Sequence, residues 1–162
     1  ELRAAALQHA TELGSDERYR QWLIELNKPF NWGANTWIIG GRYARTLDAQ
    51  ELVTSSYQIG GAQQLSGYRE NALAGQNISV GRLIYYRRLT PVRAFSLGLP
   101  VYAGVSLERG RVWNQINELD SGYINAMSVF VAVDTPLGPL NLSYGVNDDD
   151  ENALYLNLGR SF

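Results

Sequence analysis

The amino-acid sequence predicts an all-β protein made of antiparallel transmembrane β-barrel strands, and three observations lead to this fold class. Apolar residues recur at every second position in many segments, most clearly at 95–107, as expected for strands with one apolar face. Several of these segments reach about ten residues, the length that a tilted membrane strand needs and longer than an average globular strand. Short turns with Pro or Gly alternate along the chain with polar loops, two of which are long, which is the arrangement of membrane barrels.

Composition and charge exclude other classes. The chain has 162 residues, a net charge of -2 and no cysteine, so it has neither the basic face of a nucleic-acid binder nor thiolate metal ligands. No apolar run is long enough for a transmembrane helix. The sequence opens on Glu1-Leu2-Arg3 without a signal peptide, so we expect a fragment or a chain released from a longer precursor.

Eight strands are expected, in the following order. They cover about residues 2–13, 18–28, 35–46, 77–89, 95–112, 124–134, 139–147 and 152–162. The first of them also has features of a helix, because Ala4, Ala5 and Ala6 precede Leu7, but the pattern is assigned to a strand.

The alternation places apolar residues on an outward face and mostly small or polar residues on an inward face. In the strand at 124–134, Met127, Val129 and Val131 alternate with Ser128, Phe130 and Ala132. A soluble sandwich places its apolar residues inside, whereas a membrane barrel turns them outward to lipid. The pattern therefore favours the membrane barrel, although composition alone fits both.

The connections and the aromatic residues agree with this arrangement. Short, apolar turns are expected at 29–34, 90–94 and 135–138, and polar loops at 14–17, 48–76, 113–123 and 148–151. If the chain ends in the periplasm, all the polar loops lie outside the cell. Aromatic residues cluster near strand ends, either as an interfacial girdle or as ordinary strand-edge residues. They are Trp22, Phe30, Trp32, Trp37, Tyr85, Tyr86, Trp113, Tyr123 and Phe162.

The last predicted strand resembles the terminal β-signal of outer-membrane proteins. Leu154, Leu156 and Leu158 alternate with other residues, and an aromatic residue, Phe162, follows them. The resemblance implies that this strand is recognised by the barrel assembly machinery through strand pairing.

Residues 57–162 resemble the barrel of type Vd autotransporters, the PlpD-like patatin-like phospholipases, which are related to the BamA/TamA outer-membrane assembly family. The segments that carry the resemblance are 65–71 (LSGYREN), 80–88 (VGRLIYYRR), 105–113 (VSLERGRVW) and 134–145 (DTPLGPLNLSYG). It implies that residues 1–162 are the C-terminal half of a sixteen-stranded barrel in the bacterial outer membrane. Such a barrel is the translocator and anchor of a lipid acyl hydrolase whose catalytic domain lies outside this chain.

In the BamA/TamA family, a long loop carries an Arg-Gly-(Phe/Tyr) tip that folds into the lumen and meets an acidic residue of an Asp-x-Gly strand motif. The corresponding residues here are Ser66-Gly67-Tyr68 and Glu108-Arg109-Gly110, with Ser in place of Arg. We therefore expect the loop at 48–76 to plug the lumen and Arg69 to form an ion pair with Glu108. The alternative is two separately solvated charges.

The sequence offers no catalytic, metal or cofactor site. There is no Gly-x-Ser-x-Gly elbow, and His9, the single histidine, is expected to be structural or solvated. The acidic run 148–151 lacks the ligand spacing of an EF-hand and is expected to be a solvated hairpin tip. The basic pairs Arg42/Arg45 and Arg87/Arg88 either extend to the membrane interface or contact lipid phosphate.

Three functions remain open at this stage: a translocator and anchor, a free-standing eight-stranded barrel with a structural or lipid-interacting role, and a soluble ligand-binding β-domain. Detergent dependence would exclude the last. A closed eight-stranded barrel is just filled by its own side chains, so the loop at 48–76 would not fit. A plugged barrel therefore needs further strands from a missing N-terminal half, a second copy in a homodimer, or the assembly machinery. Outer-membrane lipid and lipopolysaccharide are the other expected partners.

Overall fold

A computed structural model of the chain describes residues 2–9, 19–47, 56–89, 99–114 and 120–159. These ranges consist of antiparallel strands, turns and irregular segments, so the prediction of an all-β antiparallel fold is confirmed. No helix within them is long and apolar enough to cross a membrane.

Eight strands form the main sheet, in the order β1-β2-β3-β6-β7-β8-β9-β10. Their bounds are β1 Leu2–His9, β2 Tyr19–Trp32, β3 Asn35–Leu47, β6 Asn77–Leu89, β7 Val101–Trp113, β8 Ile124–Thr135, β9 Gly138–Asn147 and β10 Asn152–Leu158. Two short strands, β4 Tyr57–Ile59 and β5 Leu73–Gly75, pair with each other. They lie inside the predicted loop 48–76, for which no strand was predicted from the sequence.

The strand boundaries differ most at the predicted turn 29–34. β2 continues through it to Trp32, so that Pro29 pairs with Ile38 and only two residues, Gly33 and Ala34, connect β2 to β3. The apolar alternation simply continues through Phe30, and the proline costs the ladder a single N–H donor. The predicted strand residues 10–13, 95–98 and 160–162, and the turn 90–94, lie outside the described residues.

One face of the sheet, hereafter the outer face, exposes large apolar side chains. On β8, Met127, Val129 and Val131 are 47%, 51% and 47% exposed. The same surface continues on the other strands. Its exposed members include Trp22, Ile24, Leu26, Phe30, Trp32, Trp37, Ile39, Tyr43, Val105, Leu107, Leu140, Leu142, Tyr144, Leu154, Leu156 and Leu158.

The opposite face, hereafter the inner face, carries a hydrophobic core between the sheet and residues 56–76. Ile59 and Leu65 of that segment are fully buried. They pack against apolar side chains of four strands, namely Ala44, Ile78, Val80, Val112, Ile124 and Ala126. The expectation of a mostly small or polar inward set was therefore wrong at this end of the sheet, because the loop supplies its own apolar side chains to bury.

The sheet is open in the described part of the chain. β1 pairs with β2 and β10 with β9, and no pairing joins β1 to β10 among these residues. The short turns after β2 and β8 lie at one end of the sheet, the turn end. At the other end, the loop end, β3 ends and β6 begins, β7 ends and β8 begins, and the turn 148–151 joins β9 to β10.

Candidate functional site

The segment 56–76, hereafter the inner loop, lies across the inner face at the loop end. It is shaped by several left-handed residues, among them Gln63 (φ 62°), Leu65 (φ 68°) and Asn71 (φ 58°). A non-glycine residue seldom adopts this conformation unless its surroundings hold it there. The hydrogen bond from Gln64 N to Gly61 O, at 3.0 Å, closes one of the turns.

Glu108 of β7 is the main polar anchor of the inner loop. Its carboxylate is almost fully buried and accepts hydrogen bonds from the Ser66 amide at 2.7 Å and the Ser66 hydroxyl at 2.8 Å. Ser106 donates a third bond to the same carboxylate and shares a 2.6 Å contact with Ser128 on β8. A buried carboxylate is tolerated when several donors surround it, and this one has three.

The expected ion pair between Arg69 and Glu108 was wrong. Arg69 is exposed to solvent, whereas Ser66 is fully buried against the carboxylate. The cause is the backbone, because left-handed Leu65 and Gly67 (φ 104°) turn residue 66 toward the sheet and residue 69 away from it. Ser66 occupies the first position of the loop motif that the resemblance identified. Residue 66 therefore contacts the acidic strand residue Glu108, although it is a serine where the motif has an arginine.

The tip of the inner loop is also fastened to β10 and to the turn before it. The Gly67 amide donates to the Tyr155 hydroxyl at 2.8 Å, and that hydroxyl donates to the Tyr68 carbonyl at 2.6 Å. The Tyr68 hydroxyl donates to the carboxylate of Asp149. Burial, and then this hydrogen bond to Asp149, raise the pKa of Tyr68 well above its usual range. The contacts of Tyr68 thus require a protonated phenol.

Three glycines allow the inner loop to approach the sheet this closely. A Cβ on Gly145 would lie 2.4 Å from the Ser66 Cβ, and a Cβ on Gly67 would lie 2.7 Å from the Glu151 carbonyl oxygen. A Cβ on Gly110 would lie 2.7 Å from the Ser79 carbonyl oxygen and 3.2 Å from Leu65. Gly67 and Gly110, which the sequence singled out, therefore act here as points of close approach.

Arg82 of β6 is a contact that the sequence did not single out. Its guanidinium donates to the Asn27 side-chain oxygen at 2.7 Å and to the Gln63 carbonyl oxygen at 3.3 Å. The available signal was an arginine at an inward position of a strand, far from both predicted ends. Ser106, Ser128 and Tyr155 gave no comparable signal, because small and aromatic residues are common on both faces.

The acidic run 148–151 forms the tight turn between β9 and β10. Asp148 accepts from the side chain of Asn125 at 2.6 Å and from its amide at 2.9 Å. These bonds lower the pKa of Asp148. In the described part of the chain, no cluster of His, Asp or Glu has the arrangement of a metal site.

The residues of the predicted β-signal are only partly described. Leu154, Leu156 and Leu158 project from the outer face of β10 and are 70%, 70% and 62% exposed. Phe162 lies outside the described residues, as does the side chain of His9.

The chain was compared with protein-family models, with characterised proteins and with solved structures, and none of the three comparisons gave a match.

Proposed function

We propose that this chain forms part of the membrane-embedded wall of a bacterial outer-membrane β-barrel. This barrel serves as the translocator and anchor of a patatin-like phospholipase autotransporter. The observation that carries the proposal is the outer face. Apolar side chains cover it from β2 to β10 at roughly half exposure, and the described residues provide nothing to cover them. Exposed apolar patches of this extent mark a surface that meets lipid or another apolar partner.

The distribution of aromatic residues supports a membrane exterior. Exposed Trp22 and Tyr123 lie at the loop end of the outer face, and exposed Trp32 and Trp37 lie at the turn end. Such rings prefer the two membrane–water interfaces. Tyr86, which the sequence placed in the same girdle, packs on Tyr102 of the inner face at a centroid distance of 5.8 Å.

The inner loop favours a wall of more than eight strands. An eight-stranded barrel has an interior that its own side chains fill, whereas here a two-stranded hairpin and its core occupy the inner face. We infer that the open edges at β1 and β10 are completed by further strands, since unpaired edges are not stable in lipid. A preceding half of the same protein or a second copy would supply them.

The translocator and anchor role rests on the resemblance to type Vd autotransporters, and one contact supports it. The Ser66-Gly67-Tyr68 tip meets Glu108 of the Glu108-Arg109-Gly110 motif, as the resemblance implies for a loop that folds into the lumen. On this proposal, the phospholipase itself is a separate domain, which the barrel holds at the cell surface.

A free-standing eight-stranded barrel with a structural or lipid-interacting role is the second candidate. The observation that favours it is the sheet itself, which contains eight antiparallel strands, the number that can close into a small barrel.

Two measurements test the proposal. The chain is first produced with a secretion signal and together with the strands that complete its two edges, and the membrane fraction is washed with alkaline carbonate. Retention in the outer-membrane fraction is expected, and release by the wash would contradict a membrane-embedded wall.

The chain is then refolded alone in detergent and run unheated on an SDS gel. A fast band that slows on boiling would mean that eight strands close alone, in favour of the second candidate. No such band, with folding restored by the missing strands, is expected of a partial wall.

A further inference from the structure

A shallow groove lies on the outer face at Gly81, where the absence of a side chain leaves space. It is lined by Gly81, Leu83, Leu107, Arg109 and Asn125 and is mainly apolar. A Cβ added to Gly81 would have one neighbour within 4 Å, the Arg109 carbonyl oxygen at 3.9 Å. The groove is therefore an indentation that the protein leaves unfilled, beside Gly41, which pairs with Gly81 and also lacks a side chain.

Arg109 at the edge of the groove and Arg111, one pair further toward the loop end, both rest on the same aromatic ring. The guanidinium carbon of Arg109 is 4.8 Å from the centre of the Tyr123 ring, and that of Arg111 is 5.3 Å from it. Arg111 also lies 4.4 Å above Trp113. Stacking on ring faces orients a guanidinium and leaves its N–H edge free for a planar or tetrahedral anion.

Each arginine of this pair has one carboxylate nearby in the described part of the chain. Arg111 approaches Asp120 at 3.7 Å, a long and half-exposed ion pair, which contributes little to stability. Arg109 lies near the carboxylate of Asp148, whose pKa is lowered by hydrogen bonds from Asn125 and also by the charge of Arg109. The Nε atom of Arg111 is buried without a hydrogen-bond partner. Two guanidinium groups held on one ring, with one Nε atom still without an acceptor, suit a bound anion.

We propose that the groove and the pair Arg109–Arg111 bind a phosphate-bearing lipid, with an acyl chain lying along the groove and a phosphate bonded to the two guanidinium groups. The inference rests on the proposed function, because the groove meets lipid only if the outer face lies in a membrane. With the loop end outside the cell, the lipid at this height is the lipid A of lipopolysaccharide. An acyl chain suits the apolar floor, and a phosphate monoester suits paired guanidinium groups.

The test uses the detergent-purified protein and native mass spectrometry with lipid A, enzymatically dephosphorylated lipid A and phosphatidylglycerol. Lipid A is expected to bind at least about tenfold more tightly than its dephosphorylated form, because charge-assisted hydrogen bonds to two arginines are lost. The double substitution R109Q/R111Q is expected to remove that difference. Gly81→Leu fills the groove without a backbone clash and is expected to weaken both forms of lipid A.

Arg87→Gln is the matched control, because Arg87 is exposed at the turn end of β6, adjacent to β7. An equal loss of binding in Arg87→Gln, or retained binding in R109Q/R111Q, would overturn the site. Equal binding of phosphatidylglycerol, or displacement of lipid A by millimolar inorganic phosphate, would overturn lipid A as the ligand. Carbonate extraction of each protein separates the two proposals: a retained protein without lipid A selectivity refutes only this site, whereas a released protein refutes both.

Discussion

The inner and outer faces of the sheet are built by the same strands and differ both in polarity and in what covers them. Along β8, Ala126 and Phe130 are 7% and 8% exposed, whereas Val129 between them is 51% exposed. The inner face is closed at the loop end by the inner loop, which contributes Ile59 and Leu65 to a shared core. The outer face has no such cover within the described residues. The comparison teaches that the alternating pattern identifies the apolar outward face, but does not reveal the core that the inner loop builds on the opposite face.

The largest expected effect comes from a charge in the middle of the outer face. We expect Val129→Arg to destabilise the membrane-inserted protein by about 2–4 kcal/mol, the cost of arginine at the bilayer midplane. The matched control is Leu137→Arg, at an exposed position of the turn between β8 and β9, where the effect should be small. Urea unfolding in lipid vesicles measures both. Equal effects would mean that the outer face does not lie in lipid.

The same substitution on the two faces gives a second test. Gly145→Ala places a Cβ 2.4 Å from that of Ser66, whereas Gly81→Ala meets its nearest neighbour at 3.9 Å. We expect Gly145→Ala to cost about 1–3 kcal/mol through overpacking and displacement of the inner loop. Gly81→Ala should cost less than about 0.5 kcal/mol. Limited proteolysis within 56–76 and urea unfolding measure the difference, and faster cleavage in Gly81→Ala than in Gly145→Ala would contradict the packing of the inner face.

The attachment of the loop tip predicts sensitivity to alkaline pH. Because the folded state raises the pKa of Tyr68 above its ordinary value near 10, stability from its hydrogen bond to Asp149 is fully present below about pH 10. It is lost as the pH rises through the folded pKa. Tyr68→Phe should lose about 1 kcal/mol of loop stability at neutral pH and should lack this alkaline transition. Hydrogen exchange of the 65–68 amides between pH 9 and 11, corrected for intrinsic rates, checks both, and identical profiles for the two proteins would contradict this role of Tyr68.

The smallest effect is expected at the turn between β9 and β10. Asn125 lowers the pKa of Asp148, so the stability that these bonds provide is present above the unfolded pKa near 4 and is lost as the pH falls through the folded value. Asp148 is solvent-exposed, so Asp148→Asn should shift the acid unfolding midpoint only slightly, in the direction of weaker pH dependence. If the acid unfolding midpoint of Asp148→Asn shifts more than that of Gly145→Ala, the turn between β9 and β10 contributes more to stability than the packing of the inner loop, which contradicts the order expected here.

The fold was predictable from the sequence to the extent that its information is local. Alternation with a period of two follows directly from strand geometry, so the all-β antiparallel class could be predicted from it. The turn at 29–34 was placed wrongly because Pro29 was taken to end a strand that continues past it. The pairing of β4 with β5 was missed because each strand has only three residues, too few to show a period.

The site was harder to predict because it depends on backbone conformation. The sequence and the resemblance identified the loop tip and Glu108, but not which side chain reaches the carboxylate. That choice is made by the left-handed backbone at Leu65, a residue type that gives no sign of it. Tyr155 was missed for another reason. Its role comes from a contact with Gly67, 88 positions away in the sequence.

This separation along the chain has a consequence for the order of events during synthesis and folding. Ser66 finds its acceptor 42 residues later in the sequence, and Gly67 finds Tyr155 still later. While β9 and β10 are missing, the inner loop therefore has no hydroxyl for the Gly67 amide and no carboxylate for the Tyr68 phenol. Closing such a distant contact is slow compared with forming neighbouring hairpins. The core and the bond to Glu108 can therefore form on the earlier strands, whereas the contacts of the loop tip with Tyr155 and Asp149 form only once the hairpin of β9 and β10 is in place.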